Sequence, residues 1–143
     1  MAKTSDSISV DLTPDDTFAA ASDLARFDDW LLLHDGWRRE VPTGLAVGTK
    51  ATSVVKAKGT RVRFDWTIDT YDPPRRVRFS GNGKGGVKAK IDLTVEPDGT
   101  GSKVTFLIDL GGLPLMGPVG KAAAKAVHGD VHRSLERFRE IFG

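Results

Sequence analysis

Residues 118–142 read PVGKAAAKAVHGDVHRSLERFREIF. On a helical wheel Val119, Ala123, Val127, Val131, Phe138, Ile141 and Phe142 fall on one broad face, with Lys121, Lys125, His132, Glu136 and Arg139 opposite. That is an amphipathic helix with one side to bury. At 1.5 Å per residue it runs roughly 37 Å, long enough to lie across a whole sheet.

The chain before it supplies that sheet. Val62, Phe64, Trp66 and Ile68 alternate with Arg61, Arg63, Asp65 and Asp69. Val77 and Phe79 alternate with Arg76, Arg78 and Ser80. Ala89, Ile91, Leu93 and Val95 alternate with Lys88, Lys90 and Asp92, and Val104, Phe106, Ile108 and Leu110 complete the set. An earlier strand carries Ala51, Ser53, Val55 and Ala57. Turns are expected at Gly59, at Asp72-Pro73-Pro74 and at Asp98-Gly99. One apolar and one charged face predict an antiparallel sheet covered on one side. Nearer the start, Ile8, Val10 and Leu12 predict a strand. Thr13-Pro14-Asp15-Asp16 then predicts a helix start, since Thr caps, Pro suits the first position and acids favour the positive end. A second short helix is expected over about 27–33. Helices segregated from a run of strands define an α+β fold, expected as a single domain over 1–143.

A chain of 143 residues suffices to bury roughly 70% of its unfolded surface. It has no Cys, which excludes disulfides and thiolate zinc sites. No stretch has the length and apolarity of a signal peptide or a membrane span, so a cytoplasmic protein without membrane insertion is expected. The net charge of +2 is unevenly spread: −5 over 1–49, +8 over 50–90 and −1 over 91–143. A basic middle segment bears on which partners are attracted.

Four segments carry a resemblance: Trp30-Leu-Leu-Leu-His34-Asp-Gly36-Trp37-Arg38, the Asp72-Pro-Pro74 break, Gly81-Asn-Gly83-Lys-Gly-Gly86-Val-Lys88, and Leu110-Gly-Gly112 with Gly117-Pro-Val-Gly120. With the element order, they resemble the START-like (SRPBCC, polyketide cyclase/dehydrase) superfamily. The likeness is to an actinobacterial branch similar to the toxin of a mycobacterial type II toxin–antitoxin pair. The resemblance implies a helix-grip fold, a curved antiparallel sheet wrapped around a long C-terminal helix with two short helices after the first strand. It also implies a cavity for a small apolar or lipid-like ligand and a small antitoxin protein as partner.

Each short motif also has a plainer reading. Gly81–Gly86 matches the Gly-x-Gly-x-x-Gly dinucleotide pattern, but both flanks read as strand where that motif needs a helix; a hairpin loop is expected. His128 and His132 stand four apart, yet cations surround them and no zinc-protease pattern exists, so they are expected as exposed histidines rather than a metal site. Ser134 with Asp130 lacks a facing histidine, so no nucleophilic triad forms; Ser134 is expected to make room and Asp130 to meet a cation. His34 beside Asp35 reads either as an acid–base pair or as a structural hydrogen bond. The apolar loop 111–117, with Leu115 and Met116, packs under the helix or closes over a cavity.

Candidate cavity residues are therefore Trp30, His34, Trp37, Phe64, Trp66, Phe79, Phe106, Leu115, Met116, Val127, Asp130, Ser134 and Phe138. Lys56, Lys58, Arg61 and Arg63 form a candidate partner surface for an acidic protein. Nucleic acid is disfavoured there, because outward aromatics that stack bases are missing. No cofactor is implied. Three readings stand in order: an apolar-ligand protein, a toxin acting through its surface, and a cyclase or dehydratase.

Overall fold

The computed structural model describes residues 2–42, 44–57, 60–112 and 117–143. Seven strands form one antiparallel sheet: β1 (Ala2–Val10), β2 (His34–Trp37), β3 (Lys50–Ala57), β4 (Thr60–Asp72), β5 (Arg76–Gly83), β6 (Lys88–Asp98) and β7 (Gly101–Gly111). Their order is β1-β7-β6-β5-β4-β3-β2, so β3 to β7 form a meander and the first strand closes against the last. Helices α1 (Pro14–Ala21) and α2 (Phe27–Trp30) follow β1, joined by a 3-10 turn at Leu24–Arg26, and α3 (Pro118–Phe142) ends the chain. The sheet curves as a half-barrel around α3.

Local chemistry accounts for these limits. Thr13 caps α1 by accepting from the Asp16 amide at 3.2 Å, with Pro14 in the first turn, which removes an otherwise unpaired helix N–H. The two residues Gly99 and Thr100 join β6 to β7, and Gly99 takes φ 60, a conformation open to Gly at little cost. On β4 to β7 the inward residues Phe64, Ile68, Val77, Leu93 and Phe106 are at most 3% exposed.

Four expectations need correction. The second helix stops at Trp30; Leu31 is extended, and His34–Trp37 pairs with β3 as a strand that lacks any alternating pattern. Strand β1 begins at Ala2, well before Ile8, and ends before Leu12. On α3, Val119 and Ile141 are exposed at 58% and 42%, whereas Ala124 and Leu135 are buried with Val127, Val131, Phe138 and the expected Ser134. The helix ends overhang a core that the wheel treats as continuous. Finally, Gly81 and Gly83 belong to β5, and the turn spans only 84–87.

Candidate functional site: a hollow between sheet and helix

The two glycines of β5 position the aromatic floor of the site. Trp66 stands opposite Gly81 and Phe64 opposite Gly83 in the β4–β5 register. A Cβ at Gly81 would lie 2.5 Å from the Trp66 ring, and one at Gly83 would lie 3.0 Å from Phe64. The rings therefore lie across the bare backbone of the next strand, stacked on each other at 5.0 Å. Glycine is required for that close approach. The resemblance to a dinucleotide loop has its physical origin here: the period of two is the strand's own.

Above this floor is a chamber of about 450 Å³. Phe64 and Trp66 line it from β4, Ala89 from β6, Ile108 from β7, and Ala123, Ala126 and Val127 from α3. A narrower arm of about 40 Å³ adjoins it and shares Leu33, Val55, Trp66 and Ile108. Phe79, Leu93 and Phe106 wall the arm on the sheet side. Trp30, His34 and Trp37 wall it on the side of α2 and β2. The described residues lining the chamber are Val, Leu, Ile, Ala, Phe and Trp, while those lining the arm also include His34 and Ser53.

The arm's aromatic side is one cluster. Phe27 packs edge-on to Trp30 at 5.7 Å and to His34 at 6.0 Å, and His34 lies 4.7 Å from Trp37. Trp37 Nε1 donates to the Leu24 carbonyl at 2.9 Å, and Trp66 Nε1 donates to Ser53 Oγ at 2.9 Å. His34 Nε2 lies 3.3 Å from Asp28 Oδ1 without hydrogen-bond alignment, and it has no partner among the described residues. Burial lowers the His34 pKa, against the opposing pull of Asp28 and Asp35, so the ring is neutral near pH 7. Asp35 pairs instead with Arg61 at 2.8 Å. The His34–Asp35 pair is thus not formed.

The remaining candidates are placed as follows. Phe138 is fully buried and meets Trp30 edge-on at 5.1 Å, behind the arm's wall. Ser134 Oγ accepts from the Leu32 amide at 2.9 Å and donates to the Asp130 carbonyl at 2.6 Å, which ties α3 to the chain after α2. The Asp130 carboxylate takes Arg133 at 2.6 Å. Phe138, Ser134 and Asp130 line neither space. Leu115 and Met116 lie outside the described residues, as does Lys58.

On the outer face of the sheet, Lys56 stands directly opposite Arg61, and Arg63 follows two residues on. Among the described residues Lys56 and Arg63 have no ion pair, while Asp65 is occupied by the Thr52 hydroxyl at 2.9 Å. A second feature is not legible in the sequence. His132 Nδ1 donates to Asp6 Oδ2 at 2.5 Å, and His128 Nδ1 shares a hydrogen bond with Thr4 Oγ1 at 2.7 Å. Both histidines fasten α3 to β1. The Asp6 hydrogen bond raises the His132 pKa. Burial works against the Asp6 carboxylate, but the hydrogen bonds from His132 and the Ser7 amide offset it, leaving its pKa below the ordinary value.

Residues 1–143 match the family described as polyketide cyclase / dehydrase and lipid transport. The chain belongs to this family. An uncharacterized protein of Mycobacterium tuberculosis is 43% identical over 143 residues, covering 100% of both chains. A second M. tuberculosis protein, named a toxin, is also 43% identical, over 142 residues and 99% of both chains. Among solved structures, a Thermus thermophilus protein superposes with a TM-score of 0.77 at 20% identity, covering 96% of this chain and 94% of that one. A Bacillus cereus protein does so at 0.73 and 16%, covering 99% and 96%. These structures share the helix-grip architecture, so the family's fold accounts for the sheet, the long helix and the space between them. Among the described residues no helix is long and apolar enough to cross a membrane.

Proposed function

We propose that this protein binds a small, predominantly apolar ligand between the sheet and α3. The observation that carries the reading is the chamber of about 450 Å³ with its apolar described wall, within the range of sites that enclose small molecules. A packed core leaves few voids larger than a water molecule, so an apolar-walled hollow of this size offers room that a ligand could fill. The family's description, which includes lipid transport, supports the same class of ligand. Binding is favoured over cyclase or dehydratase chemistry because the described walls hold no carboxylate and only one titratable side chain, His34. General acid–base catalysis needs groups within hydrogen-bond reach of the reacting atoms.

The test is native mass spectrometry of the purified protein, followed by calorimetry with an Ala126→Trp variant. A co-purifying apolar compound, whose binding the bulky indole abolishes without unfolding the protein, is the expected result. Binding unchanged by that plug would end the proposal.

The toxin-named relative supports a second reading, in which the outer face acts on an acidic partner, antitoxin or target. Lys56, Arg61 and Arg63 cluster on that face, which electrostatic steering would use. Inducible expression of the wild type should arrest growth of an actinobacterial host, and a Lys56→Ala/Arg63→Ala variant should not. Normal growth under wild-type expression would remove this reading.

A further inference from the structure

The chamber lies at one end of the sheet. Its lining residues Val62, Val87 and Leu110 stand at the start of β4, just before β6 and near the end of β7, and Ala122 is in the second turn of α3. Exposure rises toward that end. Trp66, Ala89, Ile108 and Val127 are at most 6% exposed, whereas Val62 and Val87 are half-buried and Ala122 is exposed. Val119, one turn before Ala122 and Ala123, is 58% exposed. The end therefore has an apolar centre.

Its rim is basic. Lys56 stands opposite Arg61 beside the β3–β4 turn, and Arg63 follows. Lys84 lies between β5 and β6, Lys88 opens β6, and Lys121 is in the first turn of α3. All of these cations are exposed. Among the described residues only Arg61 of this set has an ion pair, with Asp35 at 2.8 Å. The stretches 50–64, 73–91 and 110–129, which lead into and out of this end, contain no Asp or Glu. On β7, Asp109 is 8% exposed and stands in the ladder between Lys3 and Lys90. The opposite end, where the Asp11 amide meets the Gly143 carbonyl, mixes both signs: Asp72, Asp98 and Glu140 with Arg75, Lys103 and Arg139.

A mixed-sign surface serves solubility. A ring of one sign around an apolar centre instead matches a surface that is anionic outside and apolar beneath, which is the order of anionic lipid head groups over hydrocarbon. An acidic protein would answer the ring without using the centre. We propose that this end docks on an anionic lipid surface, with the rim cations among the head groups and Val119 toward the acyl boundary. Docking does not depend on what occupies the chamber, so it goes beyond the ligand-binding reading and the two can fail separately.

The test is flotation of the full chain with phosphatidylcholine vesicles, neat or containing about one-third phosphatidylglycerol, at low and high salt. Anionic vesicles should be bound at least roughly tenfold tighter than neutral ones, and added salt should weaken that binding. Lys56 and Arg63 also serve the acidic-partner reading, so the variants avoid them. Lys84→Ala/Lys88→Ala should weaken binding to anionic vesicles about tenfold or more, and Lys121→Ala less. Val119→Ser should weaken it while leaving the charge unchanged. Lys103→Ala/Arg139→Ala removes two charges from the opposite end and should change little. Failure to float, or equal binding to both vesicle types, overturns the proposal. So does equal weakening by the Lys103→Ala/Arg139→Ala variant, which would mean that the charge acts without orientation. Tighter binding of soluble polyglutamate than of anionic vesicles would also overturn it and assign the rim to a protein.

Discussion

The two halves of α3 face the same sheet with opposite results. In the C-terminal half Val131, Leu135 and Phe138 are at most 1% exposed, and Phe138 is held between Trp30 at 5.1 Å and Phe142 at 4.9 Å. In the N-terminal half Ala124 is buried, and Ala123, Ala126 and Val127 bound the chamber. Side-chain volume separates a core from a hollow along one continuous helix. The half that holds the fold together is not the half that offers a site, so stability and binding should respond to different substitutions.

The largest effect should come from breaking the packed half. Phe138→Ala is expected to cost about 3–5 kcal/mol, because a buried ring is lost and a cavity remains; chemical denaturation reads it directly. A loss below about 1 kcal/mol would mean that the packed half carries far less of the stability than its burial suggests.

Next comes the floor of the hollow. Gly81→Val drives a side chain into the Trp66 ring, and such overpacking typically costs about 1–3 kcal/mol. The same denaturation series should show it, with near-ultraviolet circular dichroism reporting the displaced indole. An unchanged tryptophan spectrum would show that the ring does not lie across the glycine.

Filling the open half should do little. Ala126→Leu adds apolar volume where space exists, so stability should stay within about 1 kcal/mol of the wild type. If this variant falls as far as Phe138→Ala, the chamber is not open in solution and the contrast between the halves disappears.

The smallest effect is at the fastening of α3 to β1. A raised His132 pKa stabilises the fold fully below the unfolded value of 6.5 and loses that contribution as pH rises through the folded value. A lowered Asp6 pKa stabilises above its unfolded value of 3.8 and loses that contribution as pH falls through the folded one. Both act together between those limits, so His132→Ala should melt below the wild type most clearly between about pH 4 and 6.5, and converge with it in alkali. His132 is exposed at 58%, and solvent screening keeps the effect small. Taking the difference between the two proteins removes the opposite slope from His34, whose lowered pKa makes acid destabilising. A pH-independent difference would show that the pair does not titrate as a unit.

Local rules make much of this architecture readable. Thr13-Pro14 announces α1 because cap chemistry acts over three residues, and the alternation from Val62 to Leu110 marks β4 to β7 because each strand buries one face. What cannot be read depends on distant partners. His34-Asp-Gly-Trp37 has no periodicity and becomes a strand only through its pairing with β3. Asp6 and His132 are separated by 126 positions, so neither residue alone marks their contact. The wheel places Val119 and Ile141 inside because periodicity cannot show where the core ends beneath a helix. For the site, the aromatic residues are legible by their size and inward phase. Ser53 looks like any small residue in an alternating strand, and its significance arises only from the hydrogen bond it accepts diagonally from the Trp66 indole, while Phe64 stands directly opposite it.

The sheet order has a consequence for the birth of the chain. Ala2 pairs with Leu110 and Val10 with Ser102, so β1 leaves the ribosome before every other strand and waits for the last of them. Strands β3 to β7 can zip hairpin by hairpin as they emerge, since their partners are adjacent in sequence. Over that interval β1 presents an unpaired edge open to wrong partners. Nascent chains stalled before residue 101 should therefore be cleaved by protease within residues 2–10, and chains released beyond α3 should resist. Early protection of that segment would mean that something other than β7 shelters it during synthesis.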